Sequence, residues 1–188
     1  MIAGIILAAG ASSRMGSPKA LLEYRGETFA GRLVRVLSKV CNPVIVVLGY
    51  HAAAIRERVT ATVVINPDPD RGQLSSLQCA LAAVPPDADG FLFTPVDCPT
   101  VDEKTLADLV RILGKCNDAI VIPRFEGRRG HPVCVSRSLM PAFLSLAPTE
   151  QTRNVVNQHA DRVIYVDVND PGVLADIDDP EAYRALAQ

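Results

Sequence analysis

A three-layer α/β domain built on a doubly wound, mostly parallel sheet is the fold class that this sequence predicts, and two observations carry it. Short apolar runs rich in β-branched residues alternate along the chain with segments whose apolar residues recur at helical spacing. The runs are continuously apolar rather than alternating, as expected of strands covered on both faces, which points to a parallel sheet. Ligands of such sheets gather beyond the carboxyl ends of the strands.

Taken in order, the first strand is expected over 2–7. Leu33, Val36, Leu37 and Val40 then fall at helical spacing, and a second strand follows over 43–48. The rhythm repeats as a helix over 52–59, a strand over 62–65, a helix over 75–83 and a strand over 90–94. Leu106, Leu109, Val110 and Leu113 line one face of a helix beginning near Val101, and residues 119–122 form the next strand. Residues 125–130 read as a basic hairpin tip feeding a strand at 133–135. Short helices over 138–146 and 152–159 and a strand over 163–166 complete the pattern. With no internal repeat and 48% hydrophobic residues, the chain is expected to form a single domain over 1–188.

Charge and cysteine usage remove several function classes. A net charge of -2, from 19 basic and 21 acidic residues, provides no general attraction to nucleic acid or anionic lipid. The cysteines, Cys41, Cys79, Cys98, Cys116 and Cys134, are odd in number, far apart and without a C-x-x-C pair. They argue against a disulfide framework and a zinc site, and for a reducing cytoplasm. No apolar run approaches the ~18 residues of a membrane span, and the amino terminus lacks the basic start of a signal peptide.

The loop after the first strand carries the chemistry. Its small residues from Ala8 to Ser13 let backbone N–H groups approach an anion closely, and Arg14 and Lys19 add fixed charge. The glycines here, Gly10 and Gly16, do not make the G-x-G-x-x-G of a dinucleotide site, and their five-residue spacing fails the Walker loop. Farther on, Asp97 ends a strand between Pro95 and Pro99, well placed to hold a hard cation such as Mg²⁺ against phosphates. Its competing reading is a helix cap, which Asp102 fits at least as well. His51 reads as an exposed turn residue. In the polar loop over 66–77, Ser75 or Ser76 could cap a helix, and Asn66 or Asp70 could bond a base edge.

The run from Leu7 to Leu22 resembles the signature L-A-A-G-x-S-x-R-M-G-x-x-K-x-L-L of nucleotidyltransferases related to molybdenum cofactor cytidylyltransferase and molybdopterin guanylyltransferase, with every fixed position matched. The resemblance implies a Rossmann-like fold of the nucleotide-diphospho-sugar transferase type. It also implies nucleotide binding by Leu7, Ala8, Ala9, Gly10, Ser12, Ser13, Arg14, Gly16 and Lys19. Gly72, Ser75, Ser76 and Leu77 match a G-x-x-x-S-L element that borders base and sugar in these relatives. Asp97, in Asp97-Cys98-Pro99, matches their metal ligand, which makes Arg14, Lys19 and Asp97 the expected catalytic set.

Two further elements extend the resemblance and one departs from it. Gly127 and Gly130-His131-Pro132-Val133 match an acceptor-facing element, which implies that Arg128, Arg129, Gly130 and His131 serve a phosphorylated acceptor, a solvated loop being the competing reading for the two arginines. The stretch from Leu174 to Tyr183 resembles a D-I-D-T-P-E-D ending, so Asp178 or Asp176 could add a second metal ligand. Alternatively, Asp178 or Asp179 simply starts a helix with Pro180 at its first position. Where relatives have Gly-Asp-x-Gly-x-Arg on the acceptor side, this chain has Pro148-Thr149-Glu150-Gln151-Thr152-Arg153, and only Arg153 survives, which the resemblance makes a further acceptor-binding residue.

The reaction implied is attack by an acceptor phosphate on the α-phosphorus of a nucleoside triphosphate, releasing pyrophosphate, with no protein nucleophile. Ala9 matches the cytidylyl branch, whereas guanylyl relatives usually carry glycine there, so CTP is favoured over GTP. Molybdopterin is the favoured acceptor, with sugar phosphates or other phosphorylated alcohols as alternatives. A different class of function stays open as well, a carrier that delivers molybdenum cofactor to a partner molybdoenzyme without turning it over.

Overall fold

The computed structural model describes residues 1–147 and 150–186. Its strands and helices are β1 (Ile2–Ala8), β2 (Glu23–Tyr24), β3 (Glu27–Thr28), α1 (Phe29–Leu37), β4 (Val44–Leu48) and α2 (Ala52–Arg56). There follow β5 (Thr62–Ile65), α3 (Gln73–Leu81), β6 (Gly90–Pro95), α4 (Glu103–Leu113), β7 (Ile120–Phe125) and β8 (Arg128–Arg129). The chain continues through β9 (Val133–Ser136), α5 (Met140–Leu144), α6 (Thr152–Gln158), β10 (Val163–Asp167) and α7 (Pro180–Leu186). No helix among the described residues is long and apolar enough to cross a membrane.

One sheet runs in the order β10-β7-β9-β6-β1-β4-β5, with β8 hairpinned onto β7. Its strands pair in parallel except at β8 and β9, the latter lying antiparallel between β6 and β7. Side chains on a strand point alternately to its two faces, so a buried run must meet a layer on each side. On β1, Ile2, Ile6 and Ala8 share a core with Phe29, Leu33 and Leu37 of α1. Ala3, Ile5 and Leu7 share the opposite core with Leu77 of α3 and Phe143 of α5. Phe91, fully buried, meets Phe143 edge to face at 5.6 Å, and truncating it to alanine would cost about 3–5 kcal/mol.

Several local features explain the element ends. Thr28 Oγ1 accepts from Gly31 N at 3.1 Å and caps α1. The small β2–β3 hairpin, absent from the expectations above, turns on Arg25 and Gly26, both with positive φ. Two-residue strands are too short to show any periodicity. At the C-terminal end of the sheet, Tyr50 N bonds Ala9 O at 3.1 Å and Val96 N bonds Leu7 O at 3.0 Å. Asn66 N reaches Leu48 O at 2.8 Å. The loops after β1, β4, β5 and β6 are thereby drawn to one rim. Their approach is close enough that a Cβ on Gly49 would stand 2.7 Å from Ala9 O.

Candidate active site

The loop leaving β1 folds back on itself. Ser12 adopts a left-handed conformation, its carbonyl accepts from Met15 N at 3.0 Å, and its hydroxyl accepts from Lys19 N at 3.0 Å. A short 3-10 turn over Lys19–Leu21 then aims the Lys19 ammonium inward. The hollow so framed has a volume of about 270 Å³ and is lined by Leu7, Ala8, Ala9, Gly10, Ser12, Ser13, Arg14 and Lys19. Gly72, Gln73 and Ser76 line its far wall, with Asp97 and Asp178 at one end.

Three carboxylates meet two cations at that end. Lys19 Nζ lies 3.0 Å from Asp97 Oδ2 and also bonds Asp178 Oδ1, while Arg14 Nη2 is 2.7 Å from Asp178 Oδ2. Asp97, Asp176 and Asp178 each present an oxygen within 4.8 Å of the others. Burial pulls the Lys19 pKa down, but the Asp178 hydrogen bond and the Asp97 carboxylate outweigh it and the pKa is raised. The Lys19 hydrogen bond holds Asp178 below the usual carboxylate range, against a smaller desolvation effect. Asp176 is pushed up by burial and then by the charges of Asp97 and Asp178. Three all-oxygen donors gathered this closely suit a hard divalent cation, so these residues fit Mg²⁺ or Mn²⁺.

Backbone tethers place the two carboxylates that come from the far end of the chain. Ile177 N donates to Asp97 O at 3.0 Å, pinning the 176–178 segment beside β6. Upstream, buried Asp170 accepts from Asp102 N at 2.9 Å, Thr105 Oγ1 at 2.8 Å and Gly172 N at 2.8 Å. Asp179, rather than Asp178, caps α7, accepting from Glu181 N at 3.0 Å and Ala182 N at 2.9 Å. Asp178 is thus left to the carboxylate cluster.

A second hollow, of about 370 Å³, adjoins the first and shares Gln73, Pro95, Asp97 and Asp178 with it. Cys98, Arg129, Gly130 and His131 contribute to its walls. Gly130 is required there because a Cβ would stand 2.2 Å from Val173 O. His131 N bonds Val173 O at 2.8 Å, and its ring meets Phe93 edge to face at 6.3 Å. Burial lowers the His131 pKa, with Asp97 opposing. Burial, with help from Asp97, pushes the Cys98 thiol up, so it is no ready nucleophile. The Arg129 guanidinium stacks on the Tyr165 ring at 4.9 Å.

Several expected residues stand elsewhere. Gly16 has positive φ at the tip of the first loop and does not line the hollow. Ser75 is buried and donates to Gly72 O at 2.8 Å, leaving Ser76 as the serine on the cavity wall. Neither serine caps α3. Asn66 is buried, with its amide on Ser75 Oγ and Ser76 Oγ and its carbonyl accepting from Asp68 N, and it lines neither hollow. Asp70 is engaged by Tyr50 Oη at 2.8 Å. Arg128 is exposed on β8 and outside the second hollow, because successive residues of a strand face opposite ways. Arg153 lines a third hollow with Arg71 and Glu150, apart from the carboxylates. Pro148 and Thr149 lie outside the described residues. His51 is an exposed left-handed turn residue, as expected. Gln73, which lines all three hollows, was not anticipated; its position next to Gly72 at the start of α3 was the available signal.

Comparison with known proteins agrees with this geometry. Residues 4–163 match the MobA-like NTP transferase domain. The chain is 30% identical to the molybdenum cofactor cytidylyltransferase of Escherichia coli (strain K12), over 95% of this chain and 92% of that one. It is 32% identical to the nicotine blue oxidoreductase of Paenarthrobacter nicotinovorans, covering 98% and 96%. Among solved structures, Rv0371c from Mycobacterium tuberculosis H37Rv superposes with a TM-score of 0.82 at 31% identity, covering 98% and 96%. A complex of the same protein with manganese superposes at 0.78 with 29% identity, covering 98% and 97%.

Proposed function

The chain belongs to the MobA-like NTP transferase family, and from that premise we propose that it transfers CMP from CTP to a phosphorylated acceptor, the molybdopterin form of the molybdenum cofactor, releasing pyrophosphate. The observation that carries this reading is the meeting of two hollows at Asp97 and Asp178. Two anionic reactants, one in each hollow, would meet at these carboxylates. Holding them in line can be worth ~7–11 kcal/mol.

In this mechanism the amides and small side chains after β1 bind the β- and γ-phosphates with Arg14, and Lys19 stabilises charge at the α-phosphate. Asp97, Asp176 and Asp178 would hold a divalent cation, which when bound neutralises phosphate charge. Gly72 and Ser76 border the base and sugar. Ala9, together with the cytidylyltransferase named above, favours cytidine over guanosine. Glycines at 10 and 16 make no dinucleotide fingerprint, so nucleotidyl transfer is preferred to a redox reaction despite the oxidoreductase relative.

Pyrophosphate release measured with CTP and GTP, each with Mg²⁺ and with or without molybdenum cofactor, tests the proposal. Release with CTP that requires the cofactor is expected. Cofactor binding with no release under any condition would instead mark a carrier.

A further inference from the structure

The β2–β3 hairpin has no part in the mechanism above, yet it is tied to each of the three segments that meet at the carboxylates. Phe29 N closes its base on Leu22 O at 2.8 Å, and Leu22 N bonds Lys19 O at 3.1 Å. The hairpin therefore grows directly out of the turn that aims Lys19. Glu23 is gripped from the far end of the chain, where the Tyr183 hydroxyl donates to Glu23 O at 2.9 Å and accepts from Glu23 N at 3.2 Å. The Tyr183 ring meets buried Phe29 edge to face at 5.9 Å. Tyr24 lies under the Arg32 guanidinium at 5.4 Å, and Arg32 Nε donates to Pro99 O at 2.7 Å.

Each of these contacts falls close in sequence to a carboxylate of the cluster. Pro99 ends the Asp97-Cys98-Pro99 run, and Tyr183 stands on α7, whose cap Asp179 is the neighbour of Asp178. We infer that the hairpin is the brace that sets the spacing of Asp97 and Asp178, with Tyr183 and Arg32 as positioning residues acting through those two carboxylates. This inference rests on the metal site of the proposed function and deepens it. Ligand oxygens held in place by surrounding bonds need no reordering when a cation binds, so the bonds that hold them raise affinity without touching the ion. The Tyr183 hydroxyl spends both its proton and a lone pair on one residue, so a slide of α7 along the hairpin breaks both bonds together. Arg32 is steadied by a ring face while it holds the Pro99 carbonyl. Ile177 N on Asp97 O then joins the two anchored segments at the cluster itself.

Mn²⁺ binding, followed by electron paramagnetic resonance with neither nucleotide nor acceptor present, tests this. Tyr183→Phe keeps the ring edge on Phe29 and removes only the hydroxyl; it should weaken Mn²⁺ binding about fivefold. Arg32→Ala should weaken it by a similar factor, and Arg32→Lys, which can still reach Pro99 O, should recover most of the loss. Arg35→Ala breaks exposed ion pairs to Glu27 of the hairpin and to Glu103, and should leave Mn²⁺ affinity within about twofold. Double variants separate positioning from general loosening of the fold. Tyr183→Phe should have no further effect in an Asp178→Asn background, nor Arg32→Ala in an Asp97→Asn background. Equal weakening with and without the carboxylate, or unchanged affinity in Tyr183→Phe or in Arg32→Ala, overturns the inference, as does a wild type that binds no Mn²⁺. Mn²⁺ binding that follows these expectations without any pyrophosphate release supports the inference and sinks only the transfer reaction proposed above.

Discussion

Lys19 Nζ stands 3.0 Å from Asp97 Oδ2 across 78 residues of sequence, joining the loop after β1 to the loop after β6. Asp178 completes the arrangement by bonding the same ammonium. The positive charge proposed to serve phosphate is thus held by the carboxylates proposed to hold the metal.

Lys19→Ala should therefore have two opposite effects. Steady-state pyrophosphate release should fall by roughly a hundredfold or more in kcat/KM. Calorimetry without nucleotide should show Mn²⁺ binding more tightly, because Asp97 and Asp178 lose the cation they share. Unchanged turnover would remove Lys19 from the chemistry.

Asp178 links the cluster to acid stability. Its folded pKa is depressed, chiefly by the Lys19 hydrogen bond, so its contribution is present above the unfolded carboxylate value of about 4 and is lost as pH falls through the lower folded value. Thermal melts of wild type should weaken over that window more steeply than those of Asp178→Asn. Partial exposure of the side chain keeps the difference near or below about 1 kcal/mol.

Asp170 acts on the site without entering it. Asp170→Ala strands Asp102 N, Gly172 N and the Thr105 hydroxyl, and should cost about 3 kcal/mol in urea titration, or roughly 6–12 °C in Tm. Because the same bonds anchor the segment that leads to Asp176 and Asp178, Mn²⁺ affinity should fall as well, even in the folded variant at low temperature.

Arg128 and Arg129 are neighbours with different outlooks. Arg129→Ala should raise KM for the phosphorylated acceptor about tenfold, while Arg128→Ala should leave it within about twofold. Equal effects from the two would mean that the hairpin works only as a diffuse basic patch.

Divalent ion removal provides a test of the carboxylate cluster as a whole. Exhaustive chelation should abolish pyrophosphate release, with Mg²⁺ or Mn²⁺ restoring it, and Asp97→Asn should need a higher metal concentration for half-recovery.

Much of this protein is legible in its sequence because the physics involved is local. Continuous apolar runs such as Ile2–Ala8 and Val44–Leu48 name the buried parallel strands, and the small-residue loop with Arg14 and Lys19 is recognisable as a candidate site, which the structure finds lining a hollow. Asp97 between its prolines is readable for the same reason. What the sequence left open were choices between near neighbours: Asp178 for the cluster and Asp179 for the cap, Ser76 on the wall and Ser75 beneath it, Arg129 in the hollow and Arg128 outside. Each choice depends on which way one side chain faces. That is decided by contacts from distant segments, such as Ile177 N on Asp97 O, and no local spacing encodes them.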